Sequence, residues 1–340
     1  VGNPSRTTPE RVPGSIRRTS NIDMTFDPDD RTTMWLRCRA RDLLTDLDGA
    51  PHVLGETSLE VRTGPNRVVE AISADPPRPT LEHLVGHRGG AGFRKQIDIA
   101  APGDRAAGSL LYYLLDDIPP ATLISGYVWS RFGEEDRPRI PVVPPGETVT
   151  PHLPARGPME NICSGWRTGG TATSLLGSGQ RPIGSTVEAP DLERPGDPLS
   201  WHRLDDLPPS SMRRRRRVDV VLGQPVTIDA MFRDSCQTPD DLEVVVHEYR
   251  ITSTVDGIEG DGERANATLA AIDAEPRVLP FPECLSAADA APRLEGERIA
   301  DLRRTVLATL TGIDCCTHLN DALRALAEVP VLLDALALPR

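Results

Sequence analysis

The sequence predicts an α+β protein made of two similar modules, each an antiparallel β-meander followed by helices, packed together as an internal pseudo-dimer. Three observations lead to this. Apolar residues alternate with polar ones early in each half, the spacing changes to three and four residues later in each half, and short stretches recur in the same order. "RRTSNIDM" (17–24) is echoed by "RRRRRVDV" (213–220), and "RARD" ending at Asp42 by "MFRD" ending at Asp234. "VVEAISADPP" (68–77) parallels "LAAIDAEPR" (269–277), and "LVGHRGGAGFRKQI" (84–97) matches "LEGERIADLRRTV" (294–306) with one gap. A shared order with compatible spacing is the mark of a duplicated module.

In the second half, Val226, Ile228, Ala230 and Phe232 alternate with more polar neighbours, the period of a half-buried strand. The β-branched stretch 242–255 predicts a second strand, "DGIEGDG" (256–262) a hairpin turn, and "ATLAAI" (267–272) a third strand. Leu294, Ile299, Leu302, Val306 and Leu310 then predict a helix ending near Gly312. A last helix is capped by Asp314, buries Leu319, Leu323 and Leu326, and stops before Pro330. In the first half Met34, Leu36, Cys38 and Ala40 share a strand face, with Trp35 opposite. "TSLEV" (57–61) and "RVVEAI" (67–72) are the next strands, and 104–115 is a helix stopped by Pro119 and Pro120. The modules therefore run over 14–133 and 212–335. Between them, 134–211 is rich in proline and glycine, which suits an extended linker. An ordered island near 159–171 carries Cys163 and Trp166.

A chain of 340 residues with 38% apolar content supports two cores even with 4% aromatics. The net charge of −12 argues against nonspecific binding to nucleic acid or an anionic membrane. No apolar run reaches the length of a membrane span. The opening "VGNPSRTTPERVPGS" lacks a signal peptide's apolar segment, although it begins at Val1 rather than a methionine. A cytoplasmic location is expected, with the six cysteines as reduced thiols or ligands. Lys95 is the single lysine, an arginine bias that suggests a GC-rich bacterial genome.

Chemistry concentrates in "GIDCCTHLNDALRALAEVP" (312–330). Cys315 and Cys316 fall in the first turn of the last helix, where unpaired backbone N–H groups and the helix dipole favour a thiolate. His318 shares a face with Cys315 in a regular helix, and Cys316 joins it only if the helix starts late. Catalytic candidates are accordingly Cys316, Cys315 and His318, with the imidazole as base. Cys284, Cys316 and His318, with Cys163 as a fourth ligand, are the candidate metal set, suited to zinc or an iron–sulfur unit. That arrangement is distantly similar to iron–sulfur scaffold proteins, though no C-x-x-C is present. The alternative is a non-catalytic binding or assembly protein, whose thiols are merely packed and whose groove between modules takes a small molecule or a protein. The first module has no counterpart of "CCTHL" and is expected to be a structural partner.

"CTHLNDALRAL", the preceding "PFPEC", and the early "RRTSNIDM" with "MWLRCRARDLLTD" resemble the bacterial family called domain of unknown function 2889. The likeness is most specific at Cys316, Thr317, His318 and Leu319, and it implies no established activity. Among weaker signals, "MRRRRRVDV" is expected to be a solvated lead-in to a strand rather than a nucleic-acid patch. The glycine-rich stretches 87–93 and 167–179 lack a phosphate-loop lysine. No G-x-S-x-G elbow or Ser-His-Asp set is visible.

Overall fold

The computed structural model describes residues 2–27, 32–132, 159–180, 182–258 and 264–337. The first half contributes the strands β1 (Ser15–Phe26), β2 (Met34–Thr45), β3 (Pro51–Thr63) and β4 (Val69–Asp75). A two-residue strand, β5 (Val187–Glu188), follows in the connecting segment. The second half adds β6 (Ser211–Val221), β7 (Val226–Gln237), β8 (Glu243–Asp256) and β9 (Thr268–Val278). All join one antiparallel sheet in the order β4-β3-β2-β1-β6-β7-β8, and β8 carries both β5 and β9 on its outer side. The alternating stretches of both halves are strands, as their period predicts. The predicted turn at 256–262 lies partly outside the described residues.

The two meanders meet at β1 and β6, whose ladder runs from Ser15↔Val221 to Met24↔Met212. Two ion pairs cross this seam reciprocally. Arg17 of β1 holds Asp219 of β6 through two hydrogen bonds of 2.7 and 2.8 Å, and Arg213 of β6 holds Asp23 of β1 at 2.6 and 2.8 Å. A second equivalence lies within each half. Arg18 grips Asp42 with two bonds of 2.7 Å, and Arg214 grips Asp234 at 2.8 and 2.9 Å.

The arginine run is therefore not the solvated lead-in that its charge suggests. Arg213 to Arg217 are all buried in β6, projecting alternately to the two faces of the sheet. Burial of five guanidinium groups is tolerable because each meets a carboxylate: Asp23, Asp234, Glu243, Asp117 and the pair Asp219 and Asp229, in turn.

Helices cover one face. In the first half these are α1 (Phe93–Ala100), α2 (Pro102–Ala106), α3 (Leu110–Leu115), α4 (Ile118–Ile124) and α5 (Tyr127–Phe132). The expected helix over 104–115 is two helices, because Gly108 turns the chain at φ +54° and Ser109 caps the second by accepting from the Tyr112 N–H. Pro119 opens α4 instead of stopping a helix, since the first turn needs no proline N–H. The connecting segment adds α6 (Thr171–Gly177). The second half has a 3₁₀ run over Pro282–Leu294, then α7 (Leu302–Thr309), α8 (Thr317–Ala325) and α9 (Val329–Ala337). The single helix expected over 294–310 is broken at Gly296, where φ is +79°.

Two apolar cores lie under these helices, and each borrows from the other half. The second core includes Ile16 and Leu44, and the first includes Met212, Cys236, Val244 and Val246. The opposite face of the sheet is covered by residues 3–13 and 187–209, with Trp201, Leu192 and Met231 in a small cluster. His202 is buried there between Thr19 Oγ1 at 2.8 Å and Asn21 Oδ1 at 2.7 Å. Among the described residues, no helix is long and apolar enough to cross a membrane.

Candidate functional site

Asp234 and His247 face each other across the β7–β8 ladder, next to a register shift at Asp234/Ser235. Arg214 fixes both carboxylate oxygens of Asp234, and its guanidinium lies 4.9 Å from the Phe232 ring centroid. On this platform sits the start of α8. Asp314 does not cap that helix: it ends a 3₁₀ turn and pairs with Arg293 at 3.0 Å. Cys316 occupies the cap position instead, with φ −121° and ψ 124°, so the helix begins at Thr317. This late start turns Cys316 and His318 toward each other.

Cys316 Sγ lies 3.8 Å from His318 Nδ1. The other ring nitrogen, Nε2, faces Asp234 Oδ2 at 3.7 Å. The His247 ring stacks on that of His318, with centroids 3.8 Å apart and planes at 21°. Thiol, imidazole and carboxylate thus stand in line, with a second imidazole against the first. His247 Nδ1 is buried without a hydrogen-bond partner, and the neighbouring Tyr249 hydroxyl lies close enough to Cys316 for the two to affect each other's ionisation.

The site opens on a cavity of about 380 Å³ between the halves. One wall holds Cys316, Thr317, His318 and His247, and the other walls are largely apolar. Leu123, Ile124 and Tyr127 come from α4 and α5, Met159, Ile162 and Trp166 from the connecting segment, and Phe281 and Cys284 from the second half. Ser164 N–H donates to the Cys315 carbonyl at 2.8 Å, which docks the island 159–171 beside the start of α8. Cys315 is not on the cavity wall; its sulfur is 3.7 Å from the Ile162 carbonyl oxygen.

Electrostatics differ from the thiolate expected at a helix start. Burial pushes the Cys316 thiol up to about 11, although the Leu319 and His318 N–H groups pull the other way. Cys315 rises to about 12, and Cys284 rises further, both chiefly through burial. Burial, aided by the Arg214 charge, lowers His318 to about 3, and His247 also falls well below its usual value. At neutral pH the resting site is a neutral thiol facing neutral imidazoles.

Geometry also separates the sequence-derived metal ligands. Among the described residues, the group of three or more ligand atoms that comes within 4.8 Å is Asp234, His247 and His318. Cys163, Cys284 and Cys316 neighbour one another closely enough to affect each other's ionisation, but they do not form such a group with His318. Asp234 and His247 escaped sequence reasoning because their meeting depends on strand register. The visible signal was a polar "HEYR" (247–250) interrupting an apolar β-branched run.

A family model described as a protein of unknown function (DUF2889) matches residues 212–332. Residues 212–332 are thus similar to the DUF2889 family. No curated protein matches the chain. The DUF2889 segment supplies Arg214, Asp234, His247, Cys284, Cys316 and His318, and residues before it supply the facing walls. In the first half Gly55 stands across from Asp42, at the position equivalent to His247 across from Asp234. The Arg–Asp pair is present in both halves, and the imidazole and thiol are in the DUF2889 segment alone.

Gly165 is the tightest contact in the docked island. A Cβ there would meet Cys284 Sγ at 2.7 Å. Gly165→Ala should therefore cost about 1–3 kcal/mol by overpacking, read as a lower denaturation midpoint together with faster alkylation of Cys284 as the island lifts. Unchanged stability and labelling would show that the island is not clamped on this sulfur.

Proposed function

We propose that the cavity is a thiol-dependent acyl-transfer site for a small molecule with an apolar body and a carbonyl head, so that the protein is an enzyme acting through Cys316. The observation that carries this reading is the line from Cys316 Sγ through His318 to Asp234 at the wall of an apolar cavity. It matches the requirement that a nucleophile meet a base that a third group orients.

In this mechanism the sulfur adds to the carbonyl carbon as its proton passes to His318 Nδ1. Collapse of the adduct breaks the bond to the leaving group, which takes the proton from His318. Water then releases the acyl group from sulfur. Moving the proton from a thiol near 11 to an imidazole near 3 costs about 11 kcal/mol before any stabilisation. A turnover near 10 s⁻¹ allows a barrier of about 16 kcal/mol in total. A preformed ion pair would use most of that, so sulfur attack and proton transfer are coupled. Asp234 steadies the imidazolium that develops, and Arg214 holds Asp234.

The test is intact-mass analysis after exposure to p-nitrophenyl hexanoate. One hexanoyl adduct per chain is expected, absent in Cys316→Ala and formed at least about 100-fold more slowly in His318→Ala. The acylation rate should stay nearly level from about pH 6.5 to 8.5, because the reacting pair of protonated thiol and neutral imidazole is already the resting form. An adduct that survives Cys316→Ala overturns the reading.

A second reading rests on Asp234, His247 and His318, which together suit a divalent ion such as zinc. Against it stands Arg214, whose charge occupies both Asp234 oxygens. About one equivalent of metal per chain, lost in His247→Ala, would favour this reading over the first. Saturable binding of an apolar ligand with neither adduct nor metal would favour a non-catalytic binding role.

We further read the two halves as a duplicated module packed as an internal pseudo-dimer. Support comes from the reciprocal Arg17–Asp219 and Arg213–Asp23 pairs, since self-complementary contacts are what a two-fold interface requires. Six free cysteines fit a reducing, cytoplasmic setting. Commitment of the arginine run to buried carboxylates fits a protein without a nucleic-acid partner.

A further inference from the structure

The face of the sheet away from the thiol site carries a second cavity, of about 370 Å³, whose character is the reverse of the first. Its floor is the outer face of β6, β7, β8 and β9, bearing Arg217, Met231, Arg250 and Arg277. Residues 3–9 and Arg194 close it above. This strap is anchored: Asn3 N–H donates to the Arg277 carbonyl at 3.0 Å, Ser5 N–H to Glu248 at 2.6 Å, and Thr8 N–H to the Leu192 carbonyl at 2.9 Å.

Five arginines line the space, and no carboxylate does. Their acidic partners are not among the residues that line the cavity. Arg217 is held by Asp219 and Asp229, Arg250 by Asp229, Arg194 by Glu10 and Arg277 by Glu275. Asp219 is shared with Arg17, and Arg6 makes no ion pair among the described residues. Six arginines thus face four carboxylates, which leaves a local excess of two positive charges. Two buried polar atoms of the lining also lack partners, Thr8 Oγ1 and Arg277 Nε, and Thr8 is 98% buried.

We propose that this cavity is a binding site for a small phosphorylated molecule. Several guanidinium groups around one space suit an anion with several acceptor oxygens. A dianionic phosphoryl group would match the two excess charges, and the unpartnered Thr8 hydroxyl and Arg277 Nε–H would complete the hydrogen bonds. The sheet separates this site from Cys316, so its occupant is distinct from the acyl substrate and the inference does not depend on the proposed reaction.

The probe is inorganic pyrophosphate, titrated by calorimetry into the full chain at low and at moderate salt. Saturable one-to-one binding is expected, weakening with salt as charge pairing requires. Arg6→Gln and Arg277→Gln should each reduce affinity at least tenfold. Arg6 is exposed and unpaired, so its replacement leaves folding intact and keeps the test decisive. Wild-type protein that binds no pyrophosphate, or variants that bind it as well as wild type does, would overturn the proposal.

Discussion

Stability should peak between about pH 6.5 and 8.5 and fall steeply on both sides. Three histidines are held neutral: His202 and His247 are buried and His318 is largely covered, with His202 and His318 each lowered to about 3 mainly by desolvation and His247 lowered well below its usual value. In the unfolded chain each titrates near 6.5. A group with a depressed folded pKa binds its proton first in the unfolded state, so acid favours unfolding. Three such groups give a slope of about 4 kcal/mol per pH unit below 6.5, and about 6 kcal/mol are gone by pH 5. Total stabilities are typically about 5–15 kcal/mol, so the fold should collapse between about pH 4 and 5.5. Asp116 adds to the loss only below about pH 4. Burial alone would raise its pKa, but Arg303, Arg324 and Arg94 hold it far below the usual carboxylate range. On the alkaline side, burial raises the buried thiols Cys38, Cys236, Cys284, Cys315 and Cys316. Their unfolded forms ionise first, and each withdraws about 1.4 kcal/mol per unit above pH 9. Urea midpoints measured from pH 4.5 to 10 check both limbs, and a flat profile from 5 to 9 would refute the burial of these groups.

Arg214→Met should be the most damaging single change in the sheet. Arg214 and Asp234 are fully buried, and Asp117 nearly so. Removing the cation leaves Asp234 without its two charged hydrogen bonds, while Asp117 keeps its contact with Arg216 at 3.0 Å. Breaking a buried pair from one side costs about 3–5 kcal/mol, because the remaining charge stays desolvated. The double variant Arg214→Met with Asp234→Leu should regain more than half of that, since replacing both partners removes the stranded charge. The exposed pair Arg37–Glu60, 3.3 Å apart, provides the contrast: Arg37→Ala should change stability by less than about 1 kcal/mol. Denaturant titration of the three variants measures all of this, and a double variant no better than the single one would show that packing rather than charge dominates.

How far the sequence revealed these features depended on distance along the chain. Strand alternation is local, so Val226 to Phe232 and Met34 to Ala40 announced themselves. Cys316 and His318 are two residues apart and were legible as a pair, although their orientation awaited the late start of α8. The arginines of β6 misled because their partners are remote. Arg213 meets Asp23 and Arg214 meets Asp117, and composition cannot distinguish a buried charge from a solvated one. Asp234 and His247 were missed for a similar reason: only strand pairing brings them together. The broken helices follow from single glycines, Gly108 and Gly296, whose effect spacing patterns do not capture.

The seam between β1 and β6 also has a consequence for biosynthesis. During translation β1 emerges long before β6, and at typical elongation speeds the ribosome needs roughly 10–40 s to bridge the gap. Throughout that wait the nascent first meander shows a raw strand edge bearing Arg17 and Asp23, both without their eventual counterions. Those charges would discourage chance pairing with neighbouring chains, guarding the edge until its proper mate arrives.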